Sequence, residues 1–266
     1  MYQVTLIGAP NQERLNLTVL DSLRDAWGGG DAVWLSHAEA AEFPIETVPS
    51  NQWQVWQEFQ NIGVDMIVQA ASERRKKMLL ADMDSTMIQQ ECIDELAGEV
   101  GVGDLVKEIT ARAMNGELDF EAALDERVAL LAEQPASIID KVLKTRIKFM
   151  PGGRTLIATM KADGAYAALV SGGFTAFTSQ VAETLGFDEH HANTLLINGD
   201  KLSGKVARPI LGREAKVEQL EKITAKLGLS ENDVIAVGDG ANDLGMLGRA
   251  GTGVALHAKP AVQAEC

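Results

Sequence analysis

The sequence predicts an α/β protein. Its core is a doubly wound, Rossmann-like parallel sheet with a helical cap inserted after the first core strand, and a small α+β domain precedes it. Three observations predict this. Four short apolar runs, at 78–83, 165–170, 234–237 and 253–256, are separated by helix-period segments near 153–162, 174–185 and 213–227. Strands alternating with helices argue for a parallel sheet covered on both faces. The stretch 90–148 shows no strand pattern, whereas all four tryptophans (Trp27, Trp34, Trp53, Trp56) crowd into the first quarter.

In chain order, residues 3–7 alternate like a strand, and 15–26 carry Leu20 and Leu23 at helix spacing. Gly28, Gly29 and Gly30 stop that helix, since glycine tolerates the positive φ of a C-terminal cap. Residues 32–35 read as a strand, 53–60 as a helix and 65–69 as a strand. The tryptophans are expected to form the core of this module and its interface with a neighbour. The run Glu73-Arg74-Arg75-Lys76-Lys77 reads as a solvated junction. In the insertion the clearest helix is 122–131, with Ala123, Leu124, Arg127, Val128 and Leu131 near one face. Asn198-Gly199-Asp200 between apolar flanks reads as a hairpin. The expected domains are therefore 1–72, then 73–89 with 149–266 as the core, and 90–148 as the cap.

Composition restricts the function. The 266 residues carry 38 acidic and 24 basic side chains, a formal charge of −14. That balance repels phosphate backbones and anionic membranes, which argues against nucleic-acid or membrane partners. Apolar residues at 46% and charged ones at 23% are globular proportions. No apolar run reaches the roughly 18 residues of a membrane span, and the N-terminus lacks a signal-peptide pattern. Cys92 and Cys266 are the two cysteines, too few for a disulfide framework. A cytoplasmic protein is expected, with a homodimer possible.

The chemistry gathers at the ends of the apolar runs, where ligands bind in open α/β sheets. Asp82-Met83-Asp84-Ser85-Thr86 places two aspartates at i and i+2 as the chain leaves a strand. The first can act as nucleophile and the second as general acid, then base. A solvated turn would carry the same pattern. Ser171-Gly172-Gly173-Phe174-Thr175 offers a hydroxyl, glycine-freed amides and a helix N-terminus, an anion site or an ordinary capped turn. Lys216, early in a helix, is a point charge suited to a phosphoryl group, or a solvated lysine. Gly238-Asp239-Gly240-Ala241-Asn242-Asp243 closes the set, with Asp239 and Asp243 able to face one ion. So many carboxylates together call for a hard dication, and oxygen ligands suit Mg²⁺ rather than zinc.

Taken in order, these four elements resemble the motifs of the haloacid-dehalogenase-like phosphohydrolases. Glu91, Met114-x-Gly116-x-x-x-Phe120 and Arg127-Val128-x-Leu130-Leu131 narrow the likeness to the phosphoserine phosphatase branch. The likeness runs from about residue 77 onward, and the first quarter resembles the small ACT-like extension of bacterial members. The resemblance implies Mg²⁺-dependent hydrolysis of O-phospho-L-serine through an aspartyl phosphate, the last step of phosphorylated serine biosynthesis. It implies that Asp82 is the nucleophile and Asp84 the acid/base. Asp82, the Asp84 carbonyl and Asp239 would hold the metal, with Asp243 acting on its waters. Ser171, Gly172, Lys216 and Asn242 would hold the phosphoryl group. Glu91 would pair with the substrate ammonium and Arg127 with its carboxylate, while Met114 and Phe120 would wall the pocket. Family members continue for about another strand and helix, so an uncovered sheet edge and lower stability are expected here.

Two other readings stay open. One is a phosphatase or phosphotransferase for another small phosphorylated metabolite. The other is a non-catalytic phospho-acceptor or amino-acid sensor, for which Asp84 would have no purpose.

Overall fold

A computed structural model describes residues 1–114 and 117–265, without the Met114 side chain. The chain divides into two compact units between Arg75 and Lys76, inside the basic run.

The first unit has the order β1 (Tyr2–Gly8), α1 (Leu17–Ala26), β2 (Val33–Ser36), β3 (Ala40–Ile45), α2 (Gln52–Asn61), β4 (Val64–Ala70). Its sheet runs β2-β3-β1-β4 with every neighbouring pair antiparallel, the ferredoxin-like split βαβ plan. Asn16 starts α1, its Oδ1 accepting from the Val19 N–H at 3.1 Å. Val4, Leu6, Leu20, Leu23, Phe43 and Ile45 fill the core. The tryptophans do not form it, contrary to the expectation above. Trp27, Trp34 and Trp56 pack at its rim, and Trp53 is 64% exposed. A small two-layer unit has room at its centre for side chains such as Leu and Phe, while an indole keeps a polar edge that seeks water.

The second unit is built on a five-stranded, all-parallel sheet. Its strands are β5 (Met78–Ala81), β6 (Tyr166–Phe174), β7 (Glu189–Asn193), β10 (Val234–Gly238) and β11 (Thr252–Ala255). They lie in the order β11-β10-β5-β6-β7, so β5 is central and the chain reverses direction across it. All four β5 residues are fully buried, as expected of a strand covered on both faces. Alternation sends Leu79 and Ala81 to one face and Met78 and Leu80 to the other. The first face packs on α7 (Gly153–Ala162) and α8 (Thr175–Leu185). The second packs on α9 (Arg213–Leu227) and α10 (Leu244–Arg249), and Val262 of the short α11 (Pro260–Gln263) joins it. This is the doubly wound α/β core read from the sequence. β11 and β7 form the sheet edges, and the four β11 residues remain half-buried.

Between β5 and α7 lie α3 (Cys92–Glu99), α4 (Gly103–Met114), α5 (Phe120–Ala129) and α6 (Ile138–Thr145). Asp119 caps α5 through the Ala122 N–H at 2.8 Å. Val106, Leu124, Val128 and Val142 of these helices join the same apolar cluster as Leu79 and Ala81. The hairpin β8 (Leu195–Asn198) and β9 (Lys201–Val206) joins this layer. The Glu133 N–H donates to the Leu202 carbonyl at 2.9 Å, and Leu202 N–H donates to the Gln134 carbonyl at 2.9 Å. Gly204, at φ +74°, lets the hairpin close on Ala132, whose Cβ lies 2.8 Å from where a side chain on Gly204 would start. Two strands, β3 and β7, go beyond those read from the sequence pattern. No helix among the described residues is long and apolar enough to cross a membrane.

Candidate active site

The site lies where β5 and β10 end side by side, on opposite sides of the chain reversal. Asp82 follows β5 directly, and its N–H donates to the Val237 carbonyl at 2.9 Å, so the β10 ladder fixes it. Asp239 follows β10. Asp243, fully buried, turns back so that its Oδ2 accepts from the Asp239 N–H at 3.1 Å and the Gly240 N–H at 3.0 Å. Glycine at 238 permits this, because the Asp243 Cγ lies 2.5 Å from where a Cβ would stand. Thr86, also fully buried, donates to Asp239 Oδ1 at 3.3 Å. One oxygen from each of Asp82, Asp239 and Asp243 falls within 4.8 Å of the others, a set able to hold a metal ion.

Lys216 enters this cluster from the first turn of α9. Its side chain is 1% exposed, with the ammonium 2.9 Å from Asp82 Oδ1 and 2.5 Å from Asp243 Oδ1. Burial works against the charged amine, but the two carboxylates outweigh it and raise its pKa. Desolvation lifts Asp82 to about 6, with Lys216 opposing and Asp243 reinforcing the shift. Asp239 likewise rises to about 6, through desolvation and then the neighbouring Asp243. A single ammonium thus leaves the carboxylates under-neutralised, and a dication fits the remaining charge.

The Asp84 carboxylate lies outside this group of three carboxylates. Its Oδ1 accepts from the Cys92 N–H at 3.3 Å, at the start of α3. Ser85, with φ +53°, turns the chain there, and its hydroxyl donates to Glu91 Oε1 at 2.7 Å. Desolvation, then the Glu91 charge, pushes the Asp84 carboxyl well above the usual range, as suits a proton donor near neutral pH. Gly173 permits close approach here. A Cβ on it would stand 2.7 Å from Asp84 Oδ2 and 3.1 Å from Ser171 Oγ. Ser171, 1% exposed, accepts from the Gly173 N–H at 2.9 Å. Residues 171–173 form an irregular stretch inside β6, where its register with β7 shifts, rather than a turn after the strand ends.

The helices between β5 and α7 supply the remaining candidates except Asn242, which precedes α10. Phe120, the first residue of α5, lies over the glycines of the site. Its ring is 3.2 Å from where a Cβ on Gly172 would stand and 3.4 Å from one on Gly212. Arg127 is half-buried and its Nε donates to the Ala123 carbonyl at 3.1 Å. Desolvation lowers its pKa, against the pull of the Asp94 and Glu91 charges. Glu91 stands at the N-cap position of α3 without a capping hydrogen bond from its side chain, and desolvation raises its carboxyl. Asn242 folds back over Gly240, its Oδ1 standing where a side chain on Gly240 would begin. Met114 ends α4. Its side chain, and Gly116 of the same motif, lie outside the described residues.

Thr86 and Asn193 bear on the site without having been singled out from the sequence. Thr86 belonged to the quoted Asp82 motif, which was a usable signal. Nothing local marks Asn193, in the polar strand Glu-His-His-Ala-Asn.

Comparison with known proteins adds to this geometry. Residues 79–248 match the family of haloacid dehalogenase-like hydrolases. The chain is 40% identical to a phosphoserine phosphatase of Streptomyces coelicolor, across 98% of this chain and 65% of that protein. It is 44% identical to one from Methanocaldococcus jannaschii, across 71% of this chain and 89% of that protein. Among solved structures, a haloacid dehalogenase family hydrolase of Salmonella enterica serovar Typhi superposes with a TM-score of 0.88. The two are 28% identical, over 99% of this chain and 92% of that one. A phospho-aspartyl intermediate analogue of phosphoserine phosphatase superposes at 0.67, with 42% identity over 73% of this chain and 92% of that one. The chain thus spans about two thirds of the Streptomyces relative's length.

Proposed function

The chain belongs to the haloacid dehalogenase-like hydrolases, and on that premise we propose that it hydrolyses O-phospho-L-serine to L-serine and phosphate. The observation that carries the reading is the buried triad of Lys216 with Asp82 at 2.9 Å and Asp243 at 2.5 Å, at the adjoining ends of β5 and β10. The names of the relatives support the choice of substrate.

Asp82 Oδ attacks phosphorus, the bond to the serine oxygen breaks, and Asp84 gives that oxygen its proton. Asp84 then takes a proton from water, whose oxygen attacks the aspartyl phosphate and releases phosphate with Asp82 restored. The raised Asp84 carboxyl favours the protonated form that the first step needs. Lys216 holds Asp82 in line and neutralises equatorial oxygens, and the Ser171 hydroxyl with the Gly172 amide completes the cradle. The carboxylates of Asp82, Asp239 and Asp243 would hold Mg²⁺, with the Asp84 carbonyl as the further oxygen that the family resemblance implies. When bound it supplies positive charge to the transferring group. Arg127 offers a planar fork to the substrate carboxylate and Glu91 a negative charge to its ammonium. Phe120 closes the cleft above Gly172 and excludes water from the first step.

The test is phosphate release from L-phosphoserine with Mg²⁺, with EDTA, and with D82N. Metal-dependent release absent from D82N supports the reading. A folded chain that releases phosphate from other monoesters but not from phosphoserine refutes the substrate assignment.

A further inference from the structure

Asn193, the last residue of β7, is 3% exposed and takes no part in the chemistry above, yet its side chain reaches the site from behind. Nδ2 donates to the Gly172 carbonyl at 2.8 Å and to the Leu211 carbonyl at 3.1 Å. Oδ1 accepts from the Leu211 N–H at 2.7 Å. These partners dictate the orientation of the amide, since two carbonyls need donors and one N–H needs an acceptor. Leu211 thereby receives the two bonds that a neighbouring strand would give it. The next residue, Gly212, is the N-cap of α9, which carries Lys216 in its first turn.

The Gly172 carbonyl shares its peptide with the Gly173 N–H, which donates to Ser171 Oγ at 2.9 Å. A peptide between two glycines meets little steric resistance to flipping. A flip would turn the carbonyl oxygen toward Ser171 Oγ, where it would repel a phosphoryl oxygen, and would take the N–H away. Asn193 holds the far side of that peptide.

We propose that Asn193 is a positioning residue of the phosphoryl site. Its carboxamide pins the Gly172–Gly173 peptide to the Leu211 backbone and so fixes the Ser171 loop against the start of the Lys216 helix. This rests on the phosphatase reading above.

The test uses the full chain with Mg²⁺ and the variants N193D and N193A. N193D keeps the shape and the acceptor for Leu211, but as a carboxylate it donates to neither carbonyl. Both variants should lose about 10- to 100-fold in kcat/KM, the usual effect of misplacing a supporting shell. The loss should be equal for phosphoserine and p-nitrophenyl phosphate, because the phosphoryl site serves both. Affinity for inorganic phosphate, read by calorimetry, should fall in parallel. V262A, which trims the buried Val262 on the α11 side of the core, is the stability control and should keep both values.

Three results overturn the proposal: N193D with phosphate affinity and kcat/KM within about twofold of the parent; an equal loss in V262A; or a failure of both Asn193 variants to fold, which would make the residue a folding element. If the parent chain binds phosphate without hydrolysing phosphoserine, the activity reading fails alone, and the phosphate affinity of N193D still decides this proposal. If the parent neither binds phosphate nor hydrolyses any monoester, both readings are overturned.

Discussion

Replacing Lys216 by methionine isolates the electrostatics of the site. The ammonium stands 2.9 Å from Asp82 and 2.5 Å from Asp243 with 1% of its side chain exposed. At an effective dielectric constant of about 20, each attraction is worth about 6 kcal/mol before desolvation is counted. Truncating one partner of a buried ionic group costs about 3–5 kcal/mol net, because the remaining charge stays buried and unpaired. K216M leaves Asp82, Asp239 and Asp243 within 4.8 Å of one another without that cation. For a unit the size of residues 76–266, this corresponds to a drop of about 6–20 °C in melting temperature. The assay is thermal unfolding in EDTA and then in excess Mg²⁺. In EDTA the variant should melt well below the parent. Mg²⁺ should raise the variant's melting temperature more than the parent's, because the dication then supplies charge that Lys216 supplies in the parent. A variant within about 2 °C of the parent in EDTA, or one that gains less from Mg²⁺, would refute the reasoning.

Four further outcomes are expected. D82N should lose at least about 10³-fold in kcat with its circular dichroism unchanged, since it removes the proposed nucleophile and not the fold; substantial residual turnover would point to another nucleophile. R127A should raise KM for phosphoserine about 10- to 100-fold, the worth of a charged hydrogen bond, and leave p-nitrophenyl phosphate unaffected; equal losses on both substrates would remove Arg127 from the carboxylate role. G173A should depress kcat, because its Cβ would stand 2.7 Å from Asp84 Oδ2 and 3.1 Å from Ser171 Oγ; unchanged kcat would mean that neither group needs its position. Burial pushes the Asp82 and Asp239 carboxyls up to about 6, above their ordinary 3.8. The fold then binds these protons more tightly than the unfolded chain does. Their contribution to stability is therefore full below about pH 4 and is lost as pH rises through 6, worth roughly 3 kcal/mol for the buried Asp82 and less for the half-exposed Asp239. Melting in EDTA should be lower at pH 7.5 than at pH 5, and the opposite order would contradict the assignment.

The core strands were legible because a parallel sheet buried on both faces needs uninterrupted apolar runs, and Met78–Ala81 and Val234–Gly238 are such runs. Helices α7 and α9 were legible from their period, with Gly228 ending α9 in the left-handed region at φ +65°. Two strands were not. β3 holds Pro44, which ordinarily argues against a strand; here β2 pairs only as far as Glu42, so the missing N–H at 44 costs no β2–β3 ladder bond. β7 is a polar edge strand whose membership is decided by its backbone pairing with β6.

The sequence by itself determined the α/β class and the chemical inventory of the site, because strand ends in such sheets gather polar residues and because glycine-rich spacing survives without a structure. Only the tertiary structure decided that Lys216 lies between Asp82 and Asp243, that Phe120 covers Gly172, and that Asn193 joins two loops. Those pairings link residues separated by 18 to 134 positions along the chain. They arise from the side-by-side order of β10, β5 and β6, a packing outcome that no local pattern encodes.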